Sequence, residues 1–208
     1  MAQQVSVIEP ERIVVHTGEV IQMDDEQLFR FCQINRDLQI ERNEDGDIII
    51  TAPEGGSSAF GSGKLTTIVG VWAERDGTGR IFGSSGGFIL PNHAMRSPDV
   101  AWVRNKRLDA LTDEEWNKFL PLCPDFVLEL RSPSDSLRTL QRKMEEYCQN
   151  GAQLGWLLDP VSKKIHVCRP DAAPQILENP ATVSGEPLLR GFILDLQEIW
   201  AAIERKKR

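Results

Sequence analysis

The sequence predicts an α/β or α+β domain with a mixed central β-sheet flanked by helices. Residues 125–158 follow the order strand, helix, strand, which predicts a parallel pair joined by a right-handed crossover. Short strand–turn–strand segments precede this unit, at 38–52 and 80–90, and such segments supply antiparallel strands. A sheet that combines both kinds of strand is mixed.

The first half of the chain predicts a helix, a hairpin and a longer helix. Residues 24–35 form the first helix, with Asp24 or Asp25 as its N-terminal cap. Residues 38–52 alternate around an Asn-Glu-Asp-Gly turn and predict the hairpin. The longer helix spans about 58–74, and its apolar residues recur at helical spacing: Leu65, Ile68, Val69 and Trp72.

The second half of the chain predicts four strands and three helices. The strands span 100–103, 124–130, 154–158 and 165–168. The helices span 111–120, 136–150 and 196–206, with caps at Thr112 and Asp195 and a stop at Gly151.

Length and composition predict one domain at 24–208, preceded by an N-terminal extension at 1–23, in a chain of 208 residues. No apolar run reaches the ~18 residues of a membrane helix, and residues 1–11 lack the pattern of a signal peptide. We therefore expect a cytoplasmic protein with no membrane partner.

Four cysteines without a CxxC pair and three histidines without an HxxxH pair argue against zinc knuckles, thioredoxin motifs and HExxH proteases. We expect reduced, mostly buried thiols.

Two catalytic motifs are present only in part. The run Gly61-Ser-Gly-Lys64 lacks the first glycine and the final Ser or Thr of a phosphate loop, and it lies inside a predicted helix. The run Gly83-Ser-Ser-Gly-Gly87 matches GxSxG, but an extended segment follows it where the nucleophile elbow needs a helix. We interpret these runs as helix and glycine-rich turn.

Two acidic residues, Asp99 and Glu129, lie at or within otherwise apolar strands. Buried carboxylates are costly without a partner or a metal ion, so both are candidates for a site. Simpler interpretations exist for each residue alone. Asp99 can be a strand-entry residue after proline, and Glu129 can be the cross-strand partner of an arginine.

A third residue, Lys143, is predicted to lie level with Glu129. The chain runs roughly 10 Å from Glu129 to the strand end at ~3.3 Å per residue. It returns by roughly 10 Å from Ser136 to Lys143 at ~1.5 Å per residue in the following helix. Alone, Lys143 can be a stem that lies along the core with its ammonium in water. The coincidence of all three positions favours a site.

Such a trio suits phosphodiester hydrolysis. Mg²⁺ is commonly held by one or two carboxylates, waters and substrate phosphate, and it lowers the pKa of a bound water. A lysine beside that water orients it and offsets phosphate charge, and it acts as a base only if its pKa is depressed.

These residues resemble the PD-(D/E)XK motif of the restriction-endonuclease-like superfamily and, within it, a large bacterial family of Uma-two type endonucleases. The resemblance covers about residues 24–200, and its most specific part is E…SPSD…K…Y…G…WL.DP. The other carrying segments are LQIERNEDGDIIITAPEGG and GRIFGSSGGFILPNHAMRSPDVAWV. The resemblance implies a restriction-endonuclease-like mixed central β-sheet flanked by helices.

The resemblance also implies site roles. Asp99 and Glu129 would be the metal-binding acids, and Lys143 would replace the usual motif lysine, because Arg131 occupies that place. Glu41 matches a glutamate common in the family and would join the catalytic set. The chain departs from the family pattern just after Gly55-Gly56, where members often carry an acidic residue and a histidine and this chain has two serines.

The sequence therefore predicts a Mg²⁺- or Mn²⁺-dependent endonuclease with DNA as substrate, and we expect a homodimer because double-strand cutting often uses two copies. The net charge of −7 argues against tight non-specific DNA binding but allows a local basic groove. An alternative is a catalytically inactive module of the same fold that binds nucleic acid or protein partners. Hydrolysis of smaller phosphate esters is a third interpretation.

Overall fold

The structure is a computed structural model and describes residues 12–18 and 20–204. Its helices are α1 Asp25–Ile34, α2 Gly56–Asp76, α3 Asn105–Leu108, α4 Asp113–Trp116, α5 Leu137–Gln149 and α6 Leu196–Ile203. Its strands are β1 Arg12–Val15, β2 Gln39–Arg42, β3 Ile48–Thr51, β4 Gly79–Gly83, β5 Phe88–Ile89, β6 Met95–Arg96, β7 Val100–Arg104, β8 Phe126–Leu130, β9 Leu154–Asp159, β10 Lys164–Cys168, β11 Gln175–Glu178, β12 Thr182–Ser184 and β13 Ile193–Asp195. None of these helices is long and apolar enough to cross a membrane.

The strands of the described residues form three sheets. A six-stranded sheet has the order β11-β10-β9-β8-β7-β4, and a five-stranded sheet has the order β1-β3-β2-β6-β5. In the six-stranded sheet β8 and β9 are parallel, as the strand-helix-strand unit predicts, and the other pairs are antiparallel. The predicted mixed α+β class is therefore confirmed.

The central strand β8 separates two cores by simple alternation of its side chains. Phe126, Leu128 and Leu130 pack with α2 and α6 in one apolar cluster. Val127 packs on the opposite face with Met144 and Tyr147 of α5. Glu129 therefore points to the face that α5 covers.

Gly155 in β9 lets α5 pack closely against the sheet. A Cβ atom at this position would lie 2.5 Å from Cε of Met144 and 3.5 Å from Cγ2 of Val127. The Met144 methyl is the flexible end of its side chain and could shift, so Gly155 makes room for the close packing of α5 on β9, the neighbour of the strand that carries Glu129.

The structure shortens one predicted helix. The capping box at Thr112 forms as predicted, but the helix covers only Asp113–Trp116 and not 111–120. Backbone hydrogen bonds explain this end, because Leu120 donates to Gly87 and accepts from Ile89. Leu120 is thus held in a β-bridge to Phe88 of β5, which a helix continuing to residue 120 would prevent.

Near both ends of the chain, the structure also differs from the sequence-based prediction. Asp195 caps α6 as expected, and α6 ends at Ile203, while the basic residues 205–208 lie outside the described residues. Within the predicted extension at 1–23, β1 pairs with β3 and completes the five-stranded sheet. The boundary of the domain itself stays a prediction.

Candidate active site

Four elements carry the candidate residues to one place. Glu41 lies in β2, Asp99 directly precedes β7, Glu129 lies in β8 and Lys143 lies in α5. The five-stranded sheet thus contributes one acid, and the six-stranded sheet with its crossover helix contributes the rest. The structure brings these four predicted residues together.

Lys143 is the centre of this arrangement. Its Nζ lies 2.8 Å from Oε1 of Glu41 and 2.9 Å from Oε1 of Glu129. All three side chains are mostly buried, with exposed fractions of 15 %, 17 % and 6 %. The distance agrees with the prediction that the return of α5 along its strand places Lys143 level with Glu129.

Asp99 is held beside Glu129 by the backbone. Its Oδ2 accepts a hydrogen bond of 2.7 Å from the N–H of Leu130, the residue after Glu129. Burial and then the charge of Glu129 raise the pKa of Asp99 well above its usual value. The two carboxyl groups therefore form an electrostatically coupled pair.

The pKa values of the two glutamates shift in opposite directions. Burial raises the pKa of Glu129, even though Lys143 opposes this effect. Burial also acts on Glu41, but Lys143 and Arg96 outweigh it, so the pKa of Glu41 is lowered. Glu41 is consequently the firmly ionised partner of the lysine, while Asp99 and Glu129 gain from a further positive charge.

Lys143 itself is held as an ammonium ion. Burial lowers its pKa, but the charges of Glu129 and Glu41 outweigh burial and raise it above the usual value. A lysine with a raised pKa donates hydrogen bonds and does not accept a proton at neutral pH. Lys143 can therefore orient a water or neutralise charge. The role of general base, which the sequence allowed only for a lysine of depressed pKa, does not fit it.

Two further residues of the site were not identified from the sequence. Arg96 donates from Nη1 to Glu41 at 3.2 Å and from Nε to Glu146 at 2.6 Å. Tyr147 donates its hydroxyl to Oε1 of Glu129 at 3.0 Å. The sequence signal for Tyr147 is its position four residues after Lys143, on the same helical face.

Arg131, in the place of the usual motif lysine, binds residues outside this cluster. Its Nη1 lies 3.1 Å and 3.0 Å from the two oxygens of Asp159, and its Nε donates to the carbonyl of Asp135. Asp159 has no exposed surface. Arg131 thus serves the structure of the β8–α5 connection, and Lys143 is the cation that meets the acids.

We expect Arg131→Met to lower the free energy of unfolding by about 3 kcal/mol while leaving Lys143 and its partners in place, because it leaves a buried carboxylate without its cation. Burial raises the pKa of Asp159, but Ser162 and Arg131 outweigh it and lower the pKa. The stabilisation from this ion pair should therefore be complete above the unfolded pKa of about 4 and be lost as the pH falls through the lower folded pKa of Asp159. The destabilisation caused by Arg131→Met should disappear over the same pH range. Urea unfolding at pH 7 and pH 3 measures this. An equal loss at both pH values would contradict the ion-pair explanation.

The donor set fits a divalent cation. Oδ1 of Asp99 and Oε2 of Glu129 receive no hydrogen bond or ion pair from a described residue, and neither is fully buried. Two accessible carboxylate oxygens suit Mg²⁺, which completes its shell with waters and phosphate. No group of three or more His, Cys, Asp or Glu side chains in the described part of the chain is arranged to hold a metal. The protein alone would thus supply an incomplete shell.

The serines that depart from the family pattern lie in the first turn of α2. Ser57 is exposed and Ser58 is buried, and the nearby Glu54 accepts a hydrogen bond of 3.4 Å from Ser62. The charge of Glu54 is among the influences that raise the pKa of Asp99. Glu54 is therefore an acidic neighbour of the site that sequence reasoning missed.

The motifs interpreted as incomplete have the predicted structures. Gly61-Ser-Gly-Lys64 lies inside α2, and Gly83-Ser-Ser-Gly-Gly87 joins β4 to β5 without a following helix. The four cysteines are free, two of them buried and two partly buried.

Comparisons with known proteins agree with this fold. The model of the Uma2 family, described as "Putative restriction endonuclease", matches residues 25–197. Among solved structures, one of a "putative nuclease belonging to DUF820" from Anabaena variabilis ATCC 29413 is similar, with a TM-score of 0.68 and 18 % identity. The similarity covers 79 % of this chain and 90 % of that chain, and at this identity it shows the shared fold. No curated protein matches. Because the family model spans most of the sequence, the chain belongs to the Uma2 family.

Proposed function

We propose that the protein is a metal-dependent endonuclease that hydrolyses DNA phosphodiester bonds. The observation that carries this proposal is the convergence of Asp99 and Glu129 beside the ammonium of Lys143, each acid with one accessible oxygen that no described residue binds. Asp99 and Glu129 would hold Mg²⁺ or Mn²⁺. Membership of the Uma2 family and the nuclease fold support the reaction class.

The residues divide the chemistry among them. A bound divalent cation would supply a water of lowered pKa and would stabilise charge on the phosphate. Lys143 would orient the attacking water and offset negative charge, because its ammonium is retained at working pH. Glu41 and Tyr147 would be positioning residues, since each contacts Lys143 or Glu129.

The substrate and the assembly follow as parts of the same proposal. DNA is the proposed substrate because a Mg²⁺ ion held by two carboxylates completes its shell with waters and phosphate oxygens. The phosphodiesters of DNA supply such oxygens. A homodimer and a cytoplasmic location remain the predictions made from the sequence.

Plasmid nicking tests the proposed activity. We expect the full-length protein to nick plasmid DNA with Mg²⁺ or Mn²⁺ and to stop when EDTA is added. Glu129→Gln should lose this activity, whereas Glu178→Gln, which changes an exposed glutamate of β11, should keep it. Nicking that survives in Glu129→Gln would refute the assignment of the site.

A second candidate is an inactive module of the same fold. It is favoured by Lys143, which already pairs with both Glu41 and Glu129 and so stabilises the acids without a metal. Calorimetric titration with Mn²⁺ distinguishes the two. Binding that disappears in Glu129→Gln supports the enzyme, and no binding by the unaltered protein supports the module.

A further inference from the structure

Arg12 lies on the same face of the five-stranded sheet as Glu41. In the pairing of β1 with β3, Arg12 is opposite Thr51, and in the pairing of β2 with β3, Glu41 is opposite Ile49. Thr51 and Ile49 are two residues apart on β3, so their side chains point to one face. Cross-strand partners share that face, and Arg12 and Glu41 therefore do as well.

The guanidinium of Arg12 is partly buried and has no partner among the residues that the structure describes. Its Nε is fully buried without a hydrogen bond. Its Nη1 and Nη2 have no hydrogen-bond or ion-pair partner in the described part of the chain, and they keep access to solvent. A partly desolvated cation without a counterion is unfavourable unless a ligand supplies one.

Charged residues of the candidate site act on Arg12. Glu41, Arg96 and Asp135 are the charged groups that act on it, and burial is the largest influence on its pKa, which is lowered. Asp135 belongs to the connection that leads into α5. In the sheet order β1-β3-β2, Arg12 is two strands from Glu41, and its guanidinium is near enough to Glu41 and Asp135 for both charges to act on it.

The neighbouring arginines are already engaged. Arg96 is bound by Glu41 and Glu146, and Arg131 is bound by Asp159. Among these three arginines, Arg12 is the one whose side chain has no hydrogen-bond or ion-pair partner among the described residues. A planar guanidinium with two free N–H groups matches two oxygens of a phosphate.

We propose that Arg12 binds a backbone phosphate of the DNA duplex beside the site formed by Asp99, Glu129 and Lys143. This inference rests on the proposed function and assigns a substrate contact to the N-terminal strand. It also explains how an acidic protein would hold an anionic polymer close to carboxylates, because a local cation offsets their repulsion.

Fluorescence anisotropy with a labelled DNA duplex tests the contact. All proteins carry Asp99→Asn, which we expect to prevent cleavage, and binding is measured over a series of salt concentrations. Adding Arg12→Met should raise Kd about tenfold and reduce the slope of log Kd against log salt by about 0.9, the value for one lost phosphate contact. Arg12→Lys should keep the slope, because it keeps the charge, and should raise Kd by less.

Controls separate this inference from general charge effects and from misfolding. Arg36→Met removes an exposed arginine beyond α1 and should leave Kd and the slope unchanged. Circular dichroism checks the fold, and the lysine variant carries the test if the methionine variant is unfolded. An unchanged slope in a folded Arg12→Met protein, or an equal effect of Arg36→Met, would overturn the proposal.

Failure of the proposed function has a different signature. If the unaltered protein neither nicks plasmid nor binds the duplex, both proposals fall together. If it nicks and binds while Arg12→Met changes neither Kd nor slope, only the role of Arg12 is refuted.

Discussion

Replacing Asp99 by asparagine is expected to abolish metal-dependent cleavage and, at the same time, to raise the melting temperature of the protein. Asparagine keeps an acceptor for the N–H of Leu130 but removes a charge that burial and Glu129 make unfavourable. Loss of a metal ligand forfeits several kcal/mol of transition-state stabilisation, so cleavage should fall by at least about 100-fold. Each kcal/mol gained in stability raises Tm by about 2–4 °C in a chain of this size.

The pH dependence of the stability gain provides the control. The folded-state pKa of Asp99 is raised, so the folded protein favours the protonated acid. The associated stability is fully present below the unfolded pKa of about 4 and is lost as pH rises through the folded pKa. The advantage of Asp99→Asn should therefore be largest near neutral pH and vanish at low pH. A lower Tm at neutral pH would show that Asp99 is a structural residue.

Replacing Lys143 by methionine is expected to have the opposite effect on stability. The variant leaves Glu41 and Glu129 as neighbouring buried carboxylates without the cation that both contact. Removing one partner of a buried ion pair costs about 3–5 kcal/mol, so unfolding in urea should begin at much lower denaturant. Cleavage should also be lost, because no ammonium remains to orient water.

A matched exposed lysine tests the specificity of this effect. Lys164 pairs with Glu178 between β10 and β11 at 2.8 Å, and both side chains are substantially exposed. Lys164→Met should cost at most about 1 kcal/mol. Adding Glu41→Gln to Lys143→Met should recover part of the stability, because it removes the negative charge beside Glu129 once their shared cation is gone. Equal losses in Lys143→Met and Lys164→Met would contradict a buried three-residue cluster.

The part of the site that depends on local geometry could be predicted from the sequence. The strand rise and the helix rise place Lys143 level with Glu129 because α5 returns along the strand that precedes it. The alternation in β8 likewise assigns Glu129 to the face that α5 covers. Both relations involve neighbouring elements, so they need no knowledge of distant packing.

The part that depends on contacts between sheets could not be predicted in this way. Arg96 pairs with Glu41 and Glu146 only because β2, β6 and α5 meet. Arg12 lies on the same face as Glu41 only because β1 adds to β3, and the segment Arg12–Val15 shows no polar–apolar alternation that would predict a strand. Short strands such as β6, with two residues, have too little length for alternation to be visible.

The fold of the chain shows the same division. Long helices and strands with regular apolar spacing were predictable, as for α2 and α5. The helix at 111–120 was not, because its end is set by hydrogen bonds to Gly87 and Ile89, far away in sequence. Tertiary contacts override local helix preference at such positions.

Loss of Asp99 and loss of Lys143, the lysine shared by two glutamates, should have opposite effects on stability. In a related protein no longer under selection for cleavage, replacement of Asp99 would increase stability. Asp99 should therefore be replaced early. Lys143 should be retained much longer, since its loss leaves Glu129 without its cation and Glu41 with Arg96 alone. Inactive relatives that retain the lysine after the aspartate has gone would therefore be the expected remnants of an ancestral nuclease.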